Sequence, residues 1–314
     1  MNTALVAGID IGGTNTAFGL VDSQGHIQDR STLPTQSASA EDLVQEVSGE
    51  IKKMLLNLGS SFVLKGVGIG APNGNHFSGC IEYAPNLKWK GVIPLCSYFQ
   101  NELLVPAVLM NDAKAAALGE MFFGGAKGMK DFLFITLGTG LGSGIVSNGS
   151  LIHGHDGLAG EMGHTIIVPG GRLCGCGRQG CLETYCSASG IRKTYLEKSG
   201  IIDSPEIDSA YIFERARQGD PVAIDSFELT GQWLGLALAN SVCYTSPQAI
   251  FLFGGLAKAG DLIFHPVRKY FERNLLKIYQ GKIEILPSQL NEGDAPILGA
   301  ASLLWKTELQ TEKR

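Results

Sequence analysis

Three cysteines and three glycines fall within the eight residues of one segment, Cys174-Gly-Cys-Gly-Arg-Gln-Gly-Cys181. Clustered cysteines form disulfides, act as redox centres or bind metal ions. The chain has seven cysteines, and an odd number in a chain of cytosolic character argues against a disulfide framework. A redox site more commonly shows Cys-x-x-Cys, whereas the first two cysteines here are separated by one residue. The segment therefore favours a metal site.

A structural zinc site needs four tetrahedral nitrogen or sulfur ligands, so one ligand must come from outside the segment. His164, in Gly160-Glu-Met-Gly-His164, is the nearest candidate. His153 and His155 are rivals of lower rank, because histidines in a glycine-rich loop are more often solvated. Four protein ligands (His164, Cys174, Cys176, Cys181) would leave no position for a hydrolytic water, so the predicted role is structural. Glu161 lies three residues before His164 and would share its face on a helical turn. The remaining cysteines are interpreted as small buried apolar side chains: Cys80, Cys96, Cys186 and Cys243.

Glycine-rich turns follow predicted strands at three places. Such turns let several backbone N–H groups converge on a phosphate, and an aspartate beside them can hold Mg²⁺ through hard oxygen ligands. They lack the Lys-Ser or Lys-Thr of a Walker loop and do not match the dinucleotide fingerprint. Any one of these turns could be an ordinary tight turn. Two turns of similar design, together with the third, favour a nucleotide-binding site between two lobes. The candidate residues are Asp10, Gly12, Gly13, Thr14, Asn15, Gly138, Thr139, Gly140, Gly254 and Gly255.

Asn111-Asp112 lies where an apolar strand passes into a helix. The local pattern favours Asp112 as the helix N-cap, a position at which aspartate is common. Ligands of open α/β sheets, however, bind at the carboxyl ends of strands. A carboxylate there is placed to accept a proton from a hydroxyl nucleophile, as in phosphoryl transfer.

The elements that must position these residues alternate between strands and helices. Apolar runs at 4–10, 65–72 and 249–255 are typical of buried strands, and helical spacing predicts helices at 41–59 and 220–245. The mixture predicts an α/β protein. Related strand-turn-strand plans at 8–22 and 134–149 indicate two similar lobes. We expect a small lobe of residues 1–115 plus about 297–314, and a large lobe of residues 116–296. The large lobe would contain the segment Cys174–Cys181, named the cysteine loop.

Composition and charge exclude several classes of protein. The chain has 314 residues, 44% of them hydrophobic, and a net charge of -5, which gives no basic excess for nucleic acid or anionic lipid. We find no basic and apolar leader pattern at the start and no run of eighteen apolar residues, so neither a signal peptide nor a membrane partner is expected. The expected compartment is the cytoplasm.

Taken together, the motifs resemble the ROK family, a group of sugar kinases and repressors, over nearly the whole chain. The matching segments, in order, are DIGGTN, NDAKAAALGE, LGTGLGSG, GEMGH, CGCGRQGCLE and FLFGG. The resemblance implies an actin-like ATPase (ribonuclease H-like) fold of two α/β lobes around a central cleft. It also implies ATP-dependent phosphorylation of a hexose, commonly at the 6-hydroxyl, with Mg²⁺ and a structural Zn²⁺.

The resemblance also implies roles for residues at matching positions. Asp112 is expected to be the catalytic base, and the zinc ligands are expected to be the four named above. The expected sugar-binding residues are Gly70, Asn86, Asn111, Asp112, Glu161, His164 and Glu183.

The bacterial glucokinases of this family are the best fit, but two departures leave the sugar open. GIGAPN at 68–73 replaces a common Pro-Gly pattern, and Asn15 stands where Lys or Gln is frequent. N-acetylmannosamine, N-acetylglucosamine, mannose or fructose are therefore alternative acceptors, and polyphosphate is an alternative donor. A sugar-sensing repressor is disfavoured because the first strand starts near residue 4, which leaves no room for a helix-turn-helix segment. An actin-like ATPase without sugar chemistry is disfavoured by the cysteine loop. The resemblance implies a homodimer or homotetramer.

Overall fold

The computed structural model describes residues 3–202 and 204–311, and side chains as far as Trp305. The chain forms two compact units. The first comprises residues 1–128, 153–159 and 289–314, and the second comprises residues 129–152 and 160–288. The expected small lobe ended at residue 115, whereas the first unit continues to Gly128 and also takes in a short internal segment. Residues 1, 2 and 312–314 of the expected lobe lie outside the described residues.

A five-stranded sheet forms the centre of the first unit. Its order is β3-β2-β1-β4-β8, in which β1, β4 and β8 run parallel and β2 and β3 are antiparallel additions. A smaller sheet of β5, β6 and β7 follows β4 in the chain. The strand bounds are β1 Thr3–Ile11, β2 Asn15–Val21, β3 Ile27–Pro34, β4 Phe62–Gly70, β5 Gly74–Asn75, β6 Cys80–Glu82, β7 Val92–Ile93 and β8 Ala107–Met110.

Helices of the first unit cover this sheet. Their bounds are α1 Ala40–Leu58, α2 Leu95–Leu103, α3 Asp112–Phe123 and, at the end of the chain, α9 Ala295–Thr311. Helix α1 begins with a capping box, because the Ser39 hydroxyl accepts from Asp42 N–H and the Asp42 carboxylate accepts from Ser39 N–H, both at 3.0 Å. Helices α3 and α9 pack so closely that a Cβ on Gly119 would lie 2.9 Å from the Cα of Gly299. This close packing places the whole of α3 in the first unit.

The second unit repeats the plan of the first. Its sheet has the order β11-β10-β9-β12-β13, again with an antiparallel hairpin and parallel neighbours on its other side. The strand bounds are β9 Phe132–Leu137, β10 Leu141–Ser147, β11 Ser150–Leu151, β12 Ala249–Phe253 and β13 Glu284–Pro287. The sequence similarity between the two hairpins therefore corresponds to a shared sheet topology.

Helices of the second unit build its apolar core. Their bounds are α4 Glu183–Cys186, α5 Ala188–Ser199, α6 Ser209–Arg217, α7 Pro221–Thr245 and α8 Asp261–Asn274. Helix α7 begins as predicted, because Asp220 accepts the N–H groups of Val222 and Ala223 and Pro221 occupies the first turn. Leu234, Leu238 and Phe271 are among the buried side chains of this core. Across residues 3–202 and 204–311, we find no helix with the length and apolar character needed to cross a bilayer.

Candidate functional site

The carboxyl edge of the first sheet gathers three of the predicted residues. Asp10 at the end of β1 is the register partner of Gly70 at the end of β4, and Gly70 is the partner of Met110 at the end of β8. A Cβ on Gly70 would lie 3.2 Å from Asp10 Oδ1 and 3.6 Å from the Cα of Asp112. Parallel strands therefore bring Asp10, Gly70 and Asp112 together, although they are distant in sequence.

The local interpretation of Asp112 as the N-cap is wrong. Asn111 is the N-cap of α3, and its Oδ1 accepts from Ala113 N–H at 3.1 Å and from Lys114 N–H at 3.3 Å. Asp112 is the first helical residue, and its Oδ1 accepts the adjacent Ala113 N–H at 2.8 Å. Because Asn111 supplies the cap, the carboxylate of Asp112 is left available for another role.

The two aspartates have perturbed acidities. Burial, with a smaller contribution from the nearby Asp112 charge, raises the pKa of Asp10 from 3.8 to about 7. Asp112 reaches solvent, yet protein atoms surround it closely, and this reduced hydration raises the pKa of its carboxyl. Its bond from Ala113 N–H works in the opposite direction and lowers the pKa. Paired carboxylates with raised pKa values are typical of sites that move protons or bind cations.

The first glycine turn lies beside this edge. Gly12 N–H donates to the Asn15 carbonyl at 2.9 Å, which closes the turn between β1 and β2. A Cβ on Gly13 would lie 2.8 Å from the Asn86 carbonyl, so the turn and the Asn86 segment are in direct contact. Thr14 and Asn15 are exposed. The turn thus keeps exposed polar groups close to Asp10.

The second glycine turn, at 138–142, is held by the residues around α4 and α5. Ala188 N–H donates to the Gly138 carbonyl at 2.8 Å, and the Ser189 hydroxyl donates to the Thr139 carbonyl at 2.8 Å. Leu141 N–H donates to Glu183 Oε2 at 2.9 Å. Glu183, predicted to bind sugar, therefore also fixes the backbone of a predicted phosphate turn.

The third turn opens beside an apolar cavity that sequence inspection missed. Gly254 follows β12, and a short 3-10 helix runs over Gly255–Ala259. The cavity beside it has a volume of about 320 Å³. Its lining is Ser209, Ala210, Phe213, Phe227, Gly255, Leu256, Lys258 and Ala259. Helix α6 supplies Ser209, Ala210 and Phe213 to this lining. The helix has only nine residues and was not predicted, so the sequence did not indicate that it borders a cavity.

The predicted metal ligands converge. Candidate ligand atoms of His164, Cys174, Cys176 and Cys181 all lie within 4.8 Å of one another. Cys174 Sγ is 3.6 Å from His164 Nδ1, and Cys176 Sγ is 3.7 Å from Cys181 Sγ. Bonds of about 2.0–2.3 Å to a tetrahedral zinc ion imply ligand separations of roughly 3.3–3.8 Å, so both distances fit. A hydrogen bond from the Arg178 backbone lowers the pKa of the Cys176 thiol, whereas burial raises the pKa of Cys174 and raises that of Cys181 to about 12. The donor set and its spacing therefore suit zinc.

Protein contacts brace the cysteine loop independently of a metal. Arg172 donates through Nη1 to the Thr184 carbonyl at 2.7 Å, and its guanidinium carbon lies 4.5 Å from the centre of the Tyr185 ring. Arg172 also bonds Glu197 through Nη2 at 2.5 Å. These contacts tie the start of the loop to α4 and α5.

The rival histidines have other surroundings. His153 and His155 belong to the segment 153–159 of the first unit, and His153 stacks on His76 with ring centroids 4.7 Å apart. Lys114, only 3% exposed, donates to the Gly157 carbonyl of the same segment at 2.7 Å. A lysine in a helix normally predicts an exposed side chain, so the sequence did not indicate this buried contact. Glu161 precedes the 3-10 helix Met162–His164, and its carbonyl accepts His164 N–H at 3.1 Å.

Comparison with known proteins identifies the family. The model of the ROK family matches residues 6–307. A glucokinase of Streptomyces coelicolor is 36% identical over 95% of this chain and 97% of its own length. An N-acetylmannosamine kinase of Escherichia coli is 30% identical over 94% of this chain and 96% of its own length.

A solved structure supports the same family. The crystal structure of a ROK family glucokinase from Streptomyces griseus, in complex with glucose and AMPPNP, has a TM-score of 0.80 and 36% identity, over 95% of this chain and 98% of that one. The predicted actin-like ATPase fold, with two α/β units of related sheet topology, is confirmed. With the family model covering nearly the whole sequence, this chain belongs to the ROK family.

Proposed function

We propose that this chain is an ATP-dependent hexose kinase that phosphorylates the 6-hydroxyl of glucose. Full-length similarity to a glucokinase at 36% identity supports the reaction, as does a similar solved chain that binds glucose and AMPPNP. The observation that carries the proposal is Asp112. It lies at the carboxyl ends of the parallel strands β1, β4 and β8, next to Asp10, and Asn111 supplies the helix cap in its place.

Asp112 is the proposed catalytic base. Its carboxylate accepts the proton of the sugar 6-hydroxyl while that oxygen bonds to the γ-phosphorus of ATP. The bond from γ-phosphorus to the bridging oxygen breaks, and ADP leaves with the electron pair. The protein forms no covalent bond to the transferred phosphoryl group, so positioning of the reactants and stabilisation of charge supply most of the rate enhancement.

The glycine turns are the proposed nucleotide contacts, through Gly12, Gly13, Thr14, Asn15, Gly138, Thr139, Gly140, Gly254 and Gly255. Asp10 would hold Mg²⁺, which neutralises phosphate charge when bound. The cavity beside Gly255 suits an adenine ring, because Phe213, Phe227 and Leu256 offer apolar surface and Ser209 and Lys258 offer polar groups.

The proposed sugar contacts combine acids, amides and an imidazole. Hexose hydroxyls both donate and accept hydrogen bonds, which suits such a set. The residues are Gly70, Asn86, Asn111, Asp112, Glu161, His164 and Glu183. Zn²⁺ held by His164, Cys174, Cys176 and Cys181 would stabilise the loop and orient the His164 ring, whose other nitrogen remains available to a sugar hydroxyl.

A second candidate acceptor is N-acetylmannosamine, favoured by the 30% identity to a kinase of that sugar. N-acetylglucosamine, mannose and fructose are weaker alternatives that share the same mechanism. We further propose a cytoplasmic location and a homodimer or homotetramer, without nucleic-acid or membrane partners.

The deciding experiment is a coupled assay of ADP release with Mg-ATP and a panel of glucose, mannose, fructose, N-acetylglucosamine and N-acetylmannosamine. The highest kcat/KM for glucose supports the proposal. A preference for an N-acetylated sugar keeps the mechanism and changes the substrate. ADP release that is independent of every sugar, or none at all from folded protein, contradicts the kinase assignment.

A further inference from the structure

The second glycine turn and the metal cluster meet at one residue, Leu141. Its N–H donates to Glu183 Oε2 at 2.9 Å. Its carbonyl packs on Gly163, where a Cβ would lie only 2.2 Å from the oxygen. Gly163 immediately precedes the ligand His164, and Glu183 follows the ligand Cys181 by two residues. Residues close in sequence to metal ligands therefore hold both sides of Leu141.

These contacts fix the orientation of one peptide in the turn. In a trans peptide the N–H and the preceding carbonyl point in opposite directions, so the Leu141 bond to Glu183 also sets the direction of the Gly140 carbonyl. That carbonyl accepts Gly138 N–H at 3.1 Å. Glycine turns adopt several backbone conformations when nothing restrains them. A flip of this peptide would point the Gly140 carbonyl at the Glu183 carboxylate and break the bonds that both peptide groups make, so Glu183 opposes the flip.

A side chain at position 140 would displace the Glu183 carboxylate from its place against the turn. A Cβ at position 140 would lie 2.4 Å from Glu183 Oε2. The carboxylate thus occupies the space that a side chain of the turn would fill. Since a carboxylate offers about four acceptor sites, the bond to Leu141 still leaves Glu183 able to accept from a sugar hydroxyl.

We infer that metal binding at the cysteine cluster and binding of a magnesium-nucleotide at the turn 138–142 are coupled through Glu183 and Gly163. This inference rests on the proposed function of the turn. A bound metal fixes Cys181, two residues before Glu183, and His164, directly after Gly163, which restrains the residues on both sides of Leu141 and orders the turn before the nucleotide arrives. Linkage is reciprocal, so each ligand raises the affinity for the other by the same factor. Glu183 is in this respect a positioning residue.

The test measures affinities in the absence of sugar. The affinity of Mg-AMPPNP is measured by calorimetry for zinc-loaded and chelator-stripped protein, and the affinity of zinc is measured by chelator competition with and without Mg-AMPPNP. Zinc removal should weaken AMPPNP binding about tenfold in the wild type, and AMPPNP should tighten zinc binding by an equal factor. Glu183→Ala should lose most of this coupling, whereas Glu183→Gln retains an acceptor oxygen and should keep it. Glu50→Gln is the matched control, because Glu50 lies on helix α1 of the first unit and pairs with Lys53 at 2.6 Å.

Equal AMPPNP affinity with and without zinc overturns the inference, as does undiminished coupling in Glu183→Ala. If near-ultraviolet circular dichroism shows that the stripped protein has lost its fold, the two zinc-loaded variants decide. Glu183→Ala must then bind AMPPNP about tenfold more weakly than Glu183→Gln, and equal affinities refute the role of Glu183. Failure of the zinc-loaded wild type to bind Mg-AMPPNP refutes the proposed function itself, and the inference with it.

Discussion

Replacement of Asp10 by asparagine should stabilise the protein at alkaline pH and not at acidic pH. Burial is the main reason that the pKa of Asp10 is raised from 3.8 to about 7, and the Asp112 charge adds to it. The folded state therefore holds a proton on Asp10 that the unfolded state releases between about pH 4 and about pH 7. Because the folded state binds more protons in this window, the free energy of unfolding falls as the pH rises through it, and the loss is complete above about pH 7.

The shift sets an upper limit on the effect. Each pKa unit corresponds to about 1.4 kcal/mol, so a change from 3.8 to about 7 corresponds to at most about 4 kcal/mol. Asp10 is only partly buried and titrates together with Asp112, and both facts reduce the gain expected from removing its charge. We expect Asp10→Asn to raise the free energy of unfolding by about 1–3 kcal/mol at pH 8, and by less than about 1 kcal/mol at pH 4.

Urea unfolding of both proteins at pH 4 and pH 8, without Mg²⁺, measures this difference. Asp225→Asn is the control, because Asp225 is an exposed carboxylate that pairs with Lys198 at 2.7 Å, and its loss should change the free energy by under about 1 kcal/mol at either pH. Added Mg²⁺ should stabilise the ionised wild type and narrow the gap at pH 8. A gap of equal size at both pH values, or a less stable variant at pH 8, would refute the assignment of a raised pKa to Asp10.

Three further changes test the proposed site. Asp112→Asn should lower kcat by about 10²–10⁴ while calorimetry still detects sugar binding, and a normal kcat would remove Asp112 as the base. Because reduced hydration raises the pKa of Asp112, kcat/KM of the wild type should fall as the pH drops and protonates the base, and a profile that rises toward acid would contradict this role. Cys176→Ser should reduce zinc content in elemental analysis and weaken sugar binding, whereas Cys243→Ser, whose Sγ lies 3.7 Å from the Ala239 carbonyl, should change neither. Full zinc content in Cys176→Ser would exclude that ligand. Gly140→Ala should raise the KM for ATP at least about tenfold, since its Cβ would lie 2.4 Å from a carboxylate oxygen, whereas Gly49→Ala, whose Cβ would meet nothing within 4 Å, is the control. An unchanged KM in Gly140→Ala would show that the turn tolerates the added carbon.

Much of the fold was accessible from periodicity and caps. The predicted helix at 41–59 is α1, and the predicted helix at 220–245 is α7 with its Asp220 cap. Short or weakly periodic helices, such as α2 and α6, were missed because nine residues give too few turns for a clear apolar stripe. The extent of the first unit was also not evident, since it depends on the close approach of Gly119 to Gly299 across 180 positions of sequence.

The sequence by itself determined the chemistry that the chain carries: three clustered cysteines with a histidine, glycine turns after apolar strands, and an aspartate at a junction of strand and helix. Residue type and local spacing suffice for these features, because ligand preference and turn conformation are local properties. Only the tertiary structure decided that burial beside a second carboxylate raises the pKa of Asp10 to about 7 and that Glu183 fixes Leu141. These outcomes depend on which distant backbone and side-chain atoms come within a few ångströms, and desolvation and hydrogen-bond geometry exist only once the sheets and helices have packed.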